Sequence, residues 1–227
     1  MDKIQEYFIE FNSHLLSDNE PSVYFNELIG KGDFPEFAPF DILLKLKDIK
    51  QNEKYHPEGS VWAHTMLVVD EAAIVKEMSI DKDVFMWVAL LHDIGKVTTT
   101  KIRHGRITSY DHDVAGAGMA KKFLEKCVKD KDFVESVAKY IYWHMQPLFV
   151  SKKLPFANLT KMSQEVSPAE LALFSLCDRR GRGKLTSEKE KEEARHIKIF
   201  LNKCEDLVLS PEERNKIAFL KERLRNV

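Results

Sequence analysis

The sequence predicts an all-α fold, a bundle of helices interrupted only by one short β-hairpin near residues 98–110. Three observations carry this. Apolar residues recur at helical spacing over most of the chain, several segments open on a Ser or Asp cap, and a single stretch is rich in Thr and β-branched residues. Residues 1–50 hold two or three helices interrupted by Pro21, Gly30, Gly32, Pro35 and Pro39. Ser60–Glu77 then places Val61, Thr65, Val68, Ala72 and Val75 on one face. Asp81 is the expected cap of the next helix, whose body Val84–Leu91 (VFMWVALL) is the longest clearly apolar run. Thr98–Tyr110 suits a hairpin turning at His104-Gly105, and helical pattern resumes over 111–127 and 131–144. Ser167-Pro168-Ala169-Glu170 and Ser210-Pro211-Glu212-Glu213 put Ser at N-cap, Pro at N1 and an acid at N3. Ser187 with Glu190 repeats the device without proline, so three capping boxes are expected. The charged run Lys184–Lys198 overlies an apolar stripe of Ala194, Ile197, Leu201, Cys204 and Val208, which makes it the solvated face of a helix.

Composition narrows the class further. The 227 residues are 44% hydrophobic and 31% charged, as in an ordinary globular protein. Thirty-five basic against thirty-six acidic side chains give a net charge of −1, which argues against a general nucleic-acid binder and leaves only a local basic patch open. VFMWVALL is far shorter than the roughly 20 residues of a membrane-spanning helix. Met1-Asp2-Lys3 opens on a mixed helix without a basic n-region, so a cytoplasmic protein with no secretory leader and no membrane contact is expected. Cys127, Cys177 and Cys204 are odd in number, far apart and set in apolar helical patterns, as reduced core residues are. No internal repeat or low-complexity linker divides the chain, and a single unit over 1–227 is the expectation.

Polar residues fall where core should be. His64 shares the buried stripe of Val61, Thr65 and Val68. His92 and Asp93 follow directly on VFMWVALL, and His112 shares a face with Gly116, Met119, Ala120 and Phe123. His144 completes a stripe of Phe133, Val137, Tyr140 and Ile141, and Asp178 one of Leu171, Phe174 and Ser175. One such histidine is ordinarily a hydrogen-bonded core residue. Five helices each pointing imidazole or carboxylate inward are another matter, because burying such groups unpaired costs several kcal/mol. A divalent cation satisfies them together, since neutral imidazole and carboxylate are its natural ligands. Four imidazoles and two carboxylates exceed what one tetrahedral ion needs, which implies either a six-coordinate ion or two ions sharing Asp93.

These residues stand in the strings EGSVWAHT, LLHDIGK, YDHDVAGA, YWHMQP and CDRRGR. In that order the chain resembles the HD superfamily of metal-dependent phosphohydrolases, named for its His-Asp pair. More narrowly, YHPEGSVWAHT and LLHDIGK are similar to the HD domain in the C-terminal part of bacterial tRNA nucleotidyltransferases, the CCA-adding enzymes. The resemblance spans residues 35 to 185, leaving N-terminal helices over 1–34 and C-terminal helices over 186–227 packed on that core. It implies a helical bundle with His64, His92, Asp93 and Asp178 as core metal ligands, and His112 and His144 as the further histidines of binuclear members. Lys96 matches the lysine that faces the substrate phosphate. Asp81-x-Asp83, Asp111-x-Asp113 and Asp130-x-Asp132 follow no Gly-rich loop, so CCA addition is not expected of this chain.

The expected activity is hydrolysis of phosphomonoesters or cyclic phosphodiesters of nucleotides, RNA ends among them, by metal-activated water. Asp93 and Lys96 are the candidate catalytic residues, with Asp93 also a ligand. Lys96, Arg179, Arg182 and His56 are the candidate substrate-binding residues; His56 has a second-shell or plain loop role as its alternative, and both arginines have plain surface exposure as theirs. One or two divalent ions are implied, with Fe, Mn, Ni, Co, Zn and Mg all compatible. Gly95 is expected to let the chain turn tightly after the metal pair, with Gly181 and Gly183 doing the same around the arginines. Trp62, Tyr110 and Trp143 are expected in the core at helical spacing, with stacking on a substrate base as their alternative. The rival activities are an HD-type di-iron oxygenase and a non-catalytic nucleotide- or RNA-binding module.

Overall fold

In the computed structural model, which describes residues 2–183, 185–208 and 210–224, the chain is mostly helical with one two-stranded antiparallel sheet. Lys184, where the charged run begins, and the last three residues lie outside the described residues. The N-terminal part forms α1 (Lys3–Ser17), α2 (Pro21–Lys31) and the short α3 (Asp41–Leu44). Pro21 starts α2 rather than breaking a helix, because N1 needs no amide hydrogen. Gly30 sits inside α2, and Gly32 ends it in the left-handed conformation at φ 76°.

Helix α4 (Val61–Val75) is capped by Ser60, whose side chain accepts from the Ala63 amide. Helix α5 (Lys82–Leu91) is capped by Asp81 in the same way and is buried from Val84 to Leu91. A helix apolar on every side belongs in the centre of a core, and fully burying each such side chain is worth about 1.5–3 kcal/mol. After α6 (Lys96–Thr99), strands β1 (Lys101–Arg103) and β2 (Arg106–Thr108) pair Ile102 with Ile107, turning at His104 and Gly105 with φ 49° and 72°. Two consecutive positive φ values are what a two-residue hairpin turn requires. Helices α7 (His112–Cys127) and α8 (Lys131–Trp143) follow, and α9 (Gln146–Ser151) and α10 (Leu159–Glu165) lead to α11 (Pro168–Arg180), α12 (Ser187–Glu205) and α13 (Pro211–Arg223).

Two apolar clusters form the core. The larger joins α1, α2, α4, α5, α7 and α8; the smaller joins α10, α12 and α13 with Trp143. Helix α11 serves both, giving Leu173, Phe174 and Cys177 to the first and Ala169, Leu171 and Ala172 to the second. All three cysteines are buried and free. Trp62 and Trp143 are buried as expected, whereas Tyr110 is 61% exposed beneath Arg103, because it follows the hairpin and precedes the first turn of α7.

The capping boxes differ from expectation in an informative way. Ser167 does cap α11, but Glu170 turns away and accepts from Ser79 Oγ and the Ile80 amide, tying α11 to the entry of α5. The Ser167 amide donates instead to Tyr140 Oη at 3.4 Å, and Glu213 of α13 joins the same helix start, accepting from Ser167 Oγ at 2.7 Å and from the Ala169 amide at 2.8 Å. The third start is capped by Thr186, one residue earlier than Ser187. Hydrogen bonds to a charged acceptor contribute about 1.5–3 kcal/mol. Glu213→Ala is therefore expected to lower the melting temperature by roughly 3–12 °C. Glu212→Ala beside it, 81% exposed, serves as the control and leaves the melt unchanged.

Candidate metal centre

Five helices bring their polar residues to one place. His64 lies on α4, His92 and Asp93 follow α5, His112 opens α7, His144 ends α8 and Asp178 lies in the last turns of α11. His64, His92, Asp93 and His144 are almost wholly buried, and His112 nearly so. The ligand atoms form two groups, His64–His92–Asp93 and Asp93–His112–His144, that share Asp93. Asp178 joins through His64, its Oδ1 lying 3.0 Å from His64 Nε2.

Each histidine is fixed through Nδ1. His92 donates to the Ala89 carbonyl at 3.0 Å, His112 to Ser109 at 2.8 Å and His144 to Ile141 at 2.6 Å. His64 Nδ1 lies 3.1 Å from the Gly181 carbonyl and 3.0 Å from Glu58 Oε1. A carbonyl only accepts, so in His92, His112 and His144 the proton sits on Nδ1 and the lone pair on Nε2. Burial pushes His112 down to about 3 and lowers His144 as well, keeping both rings neutral. Their Nε2 atoms nevertheless face each other at 3.2 Å, lone pair to lone pair. His92 Nε2 is buried with no hydrogen-bond partner. Inward-facing, unsatisfied imidazole nitrogens around a shared carboxylate fit a divalent cation, and the anchoring of Nδ1 on carbonyls is the support such ligands need.

Charge around the centre is balanced locally. Burial alone favours the neutral acid at Asp93, but the Lys96 ammonium at 2.7 Å, together with the surrounding histidines, holds its carboxyl well below the usual range. Asp178 is likewise held low against its burial by Arg182 and His64. Burial opposes a charge on His64, yet the hydrogen bonds it donates to Asp178 and Glu58 outweigh it and hold the ring up at about 9, protonated on both nitrogens; a cation at Nε2 would take the place of that proton.

The cluster opens into a cavity of about 560 Å³. Asp93, Lys96, His112, His144 and Asp178 line it together with His56, Arg179 and Arg182. Lys96 is buried, and its Nζ is held by Asp93 Oδ2 and Gln51 Oε1, both at 2.7 Å. Arg179 is an ordered residue of the cavity wall and not a surface side chain; Glu193 of α12 pairs with its guanidinium. Arg182 lies 3.7 Å from Asp178 Oδ2 and is a quarter exposed. Glu58, Gln51 and Glu193 went unrecognised in the sequence. Glu58 stands two places after His56 in a loop where no periodicity marks a face, and Glu193 hides inside a charged run.

The glycines act differently from expectation. Gly95 has an ordinary helical backbone, φ −63° and ψ −22°. Glycine is needed there because a Cβ would drive into the His112 carbonyl and lie 2.6 Å from the Gly116 amide nitrogen. Gly181 is similar: its φ is −63°, and a Cβ would lie 2.9 Å from the Val68 amide nitrogen. Only Gly183, at φ 84°, uses the freedom to turn.

A helical bundle that gathers histidines and aspartates from five helices around an adjacent His-Asp pair defines an HD domain. The family profile of the HD domain matches residues 61–201, more than half of the chain, and the chain belongs to that family. Its similarity runs to proteins named Multifunctional CCA protein. It is 30% identical over 145 residues to the one from Actinobacillus pleuropneumoniae serotype 5b, covering 60% of this chain and 33% of that protein. It is 31% identical over 135 residues to that of Pasteurella multocida (55% and 30%), and 24% over 198 residues to that of Hahella chejuensis (85% and 45%). The chain thus spans less than half the length of these curated relatives. No helix among the described residues is long and apolar enough to cross a membrane.

Proposed function

We propose that the protein is a metal-dependent phosphohydrolase acting on phosphomonoesters or cyclic phosphodiesters of nucleotides. The observation that carries this is Asp93 shared between two histidine groups beside a cavity walled by Lys96, Arg179 and Arg182. His64, His92, Asp93 and Asp178 would hold one divalent ion, and Asp93, His112 and His144 a second, with Fe, Mn, Ni, Co, Zn or Mg as candidates. Bound there, a divalent ion lowers the pKa of coordinated water and withdraws charge from phosphoryl oxygens. The chain's own residues do the rest. Asp93 would accept a proton from the attacking water, and Lys96, held beside it by Gln51, would offer its ammonium to the substrate phosphate. Arg182 is the more available of the two arginines for a substrate phosphate, since Arg179 is engaged by Glu193. Residues 35–185 would form the functional core, in a cytoplasmic protein acting on a small-molecule phosphoester or an RNA end.

Elemental analysis of the purified protein followed by a metal-supplemented screen of nucleotides and phosphoesters tests the activity. Hydrolysis that depends on a divalent metal is expected, read as phosphate released from monoesters and as the opened monoester formed from cyclic phosphodiesters. Iron content with oxygen consumption and no hydrolysis would instead make it the di-iron oxygenase. Stripping the metal has its own consequence. An ion present at 100 times its Kd stabilises the fold by about 2.7 kcal/mol. A chelator is therefore expected to lower the melting temperature by roughly 5–11 °C, reversibly on re-addition.

A further inference from the structure

The loop between Gln51 and Ser60 carries a buried carboxylate, Glu58, that belongs to neither of the two groups around Asp93. Its side chain is 5% exposed. Oε1 lies 2.8 Å from His56 Nδ1 and 3.0 Å from His64 Nδ1, while Oε2 is buried without a partner. Burying a carboxylate with one oxygen unmet is costly, and the loop is built to hold it there. Lys50 and Ser60 form an antiparallel bridge, the Gln51 amide donates to the Gly59 carbonyl at 2.8 Å, and the His56 amide donates to Asn52 at 2.9 Å. Gly59 follows at φ 91°, a conformation that favours glycine.

We propose that Glu58 is a positioning residue: its Oε1 fixes His64 with Nε2 toward the metal centre and His56 with Nε2 toward the substrate cavity. One carboxylate thereby sets the tautomer of a metal-facing and a substrate-facing imidazole together. An ionised carboxylate can only accept, so both Nδ1 atoms must carry the proton; at His64 Glu58 shares that proton with the Gly181 carbonyl, 3.1 Å away. The two rings stand edge to face, their centroids 4.9 Å apart, so the turn of one constrains the other. His56, Glu58 and His64 are close enough to suggest a third cation site. A ring nitrogen that donates to Oε1 has no lone pair left for a metal, and the trio acts as an orienting group instead. His56 lines the cavity with Nε2 as an acceptor. It therefore takes a hydrogen bond from a hydroxyl or water in the cavity and does not bind an ionised phosphate oxygen. Orienting partners of this kind typically govern metal affinity by about 10–100-fold.

The inference rests on the proposed metal site only through His64, and its test does not depend on turnover. Two-bond proton–nitrogen NMR spectra at pH 8 are expected to show His56 as the Nδ1–H tautomer in metal-free protein. His64 is expected in the same form once zinc is bound. Glu58→Met, which keeps the length and removes the acceptor, should give mixed tautomers at His56 and weaken zinc binding about 10–100-fold. An Nε2–H tautomer at His56 in the unsubstituted protein overturns the proposal, and so does a Glu58→Met protein with unchanged tautomer and zinc affinity. Should Glu58→Met fail to fold, the spectrum of the unsubstituted protein decides alone. Failure of that protein to take up zinc or any other divalent ion would sink the metal-centre proposal and leave the His56 tautomer as a separate answer.

Discussion

Asp93→Asn is expected to abolish phosphoester hydrolysis and to strip metal from the protein, because Asp93 is the one group common to both histidine sets. Asp93→Ala should do the same, but the structure adds a stability cost. Among the described residues, buried Lys96 has Asp93 as its only anionic partner and Gln51 as its neutral one. Breaking a buried pair by removing one member costs about 3–5 kcal/mol. Both single variants are therefore expected to melt roughly 6–20 °C lower than the parent. Adding Lys96→Met should recover most of that loss without recovering any activity. Thermal melts and phosphate release on the three proteins separate the two effects. Turnover surviving in Asp93→Asn at the parent's level would rule out the shared-carboxylate centre.

Gly95→Ala is expected to have the second large effect, and through packing rather than chemistry. The added methyl meets backbone at the start of α7, which cannot rotate aside as a side chain can. Overpacking typically costs 1–3 kcal/mol, and a clash with main chain lies at the upper end, about 3 kcal/mol. The melting temperature should fall by roughly 6–12 °C. Because Gly95 directly follows the His92–Asp93 region and presses on the turn that carries His112, metal affinity should fall as well. Gly118→Ala on the same helix, where an added Cβ meets nothing within 4 Å, is the control and should be neutral or slightly stabilising. Equal melts for the two variants would show that the close approach of Gly95 to Gly116 does not hold the centre together.

Much of this architecture is legible along the chain. The run from Val84 to Leu91 has no polar face, and it is the most deeply buried helix. Asp81, Ser60, Ser167 and Ser210 cap where their side chains can reach the amide three residues on. His64, His92, His112, His144 and Asp178 stood out because each interrupts an apolar stripe, a conflict between local pattern and burial that a shared ligand resolves. What was not legible has a common cause: it depends on distance between segments. Glu170 and Glu213 carry the right residue at the right offset for a capping box, yet each finds its partner on a remote segment, Glu170 in the connection before α5 and Glu213 at the start of α11. Lys96 reads as a free cation until Gln51, 45 residues away, is seen to hold it. Gly95 reads as a turn residue, and only the approach of α7 shows that it is glycine for want of space.

The amino-acid order alone determined the helical class and brought out the histidines and aspartates set among apolar stripes, because periodicity is a property of single segments, while its ordered motif strings carried the resemblance to the HD family. Only tertiary structure decided which lone pairs face one another, which charges are already neutralised and which buried carboxylate steers two imidazoles. Those are properties of distance, and distance between remote segments is set by packing, which no single stretch of chain contains.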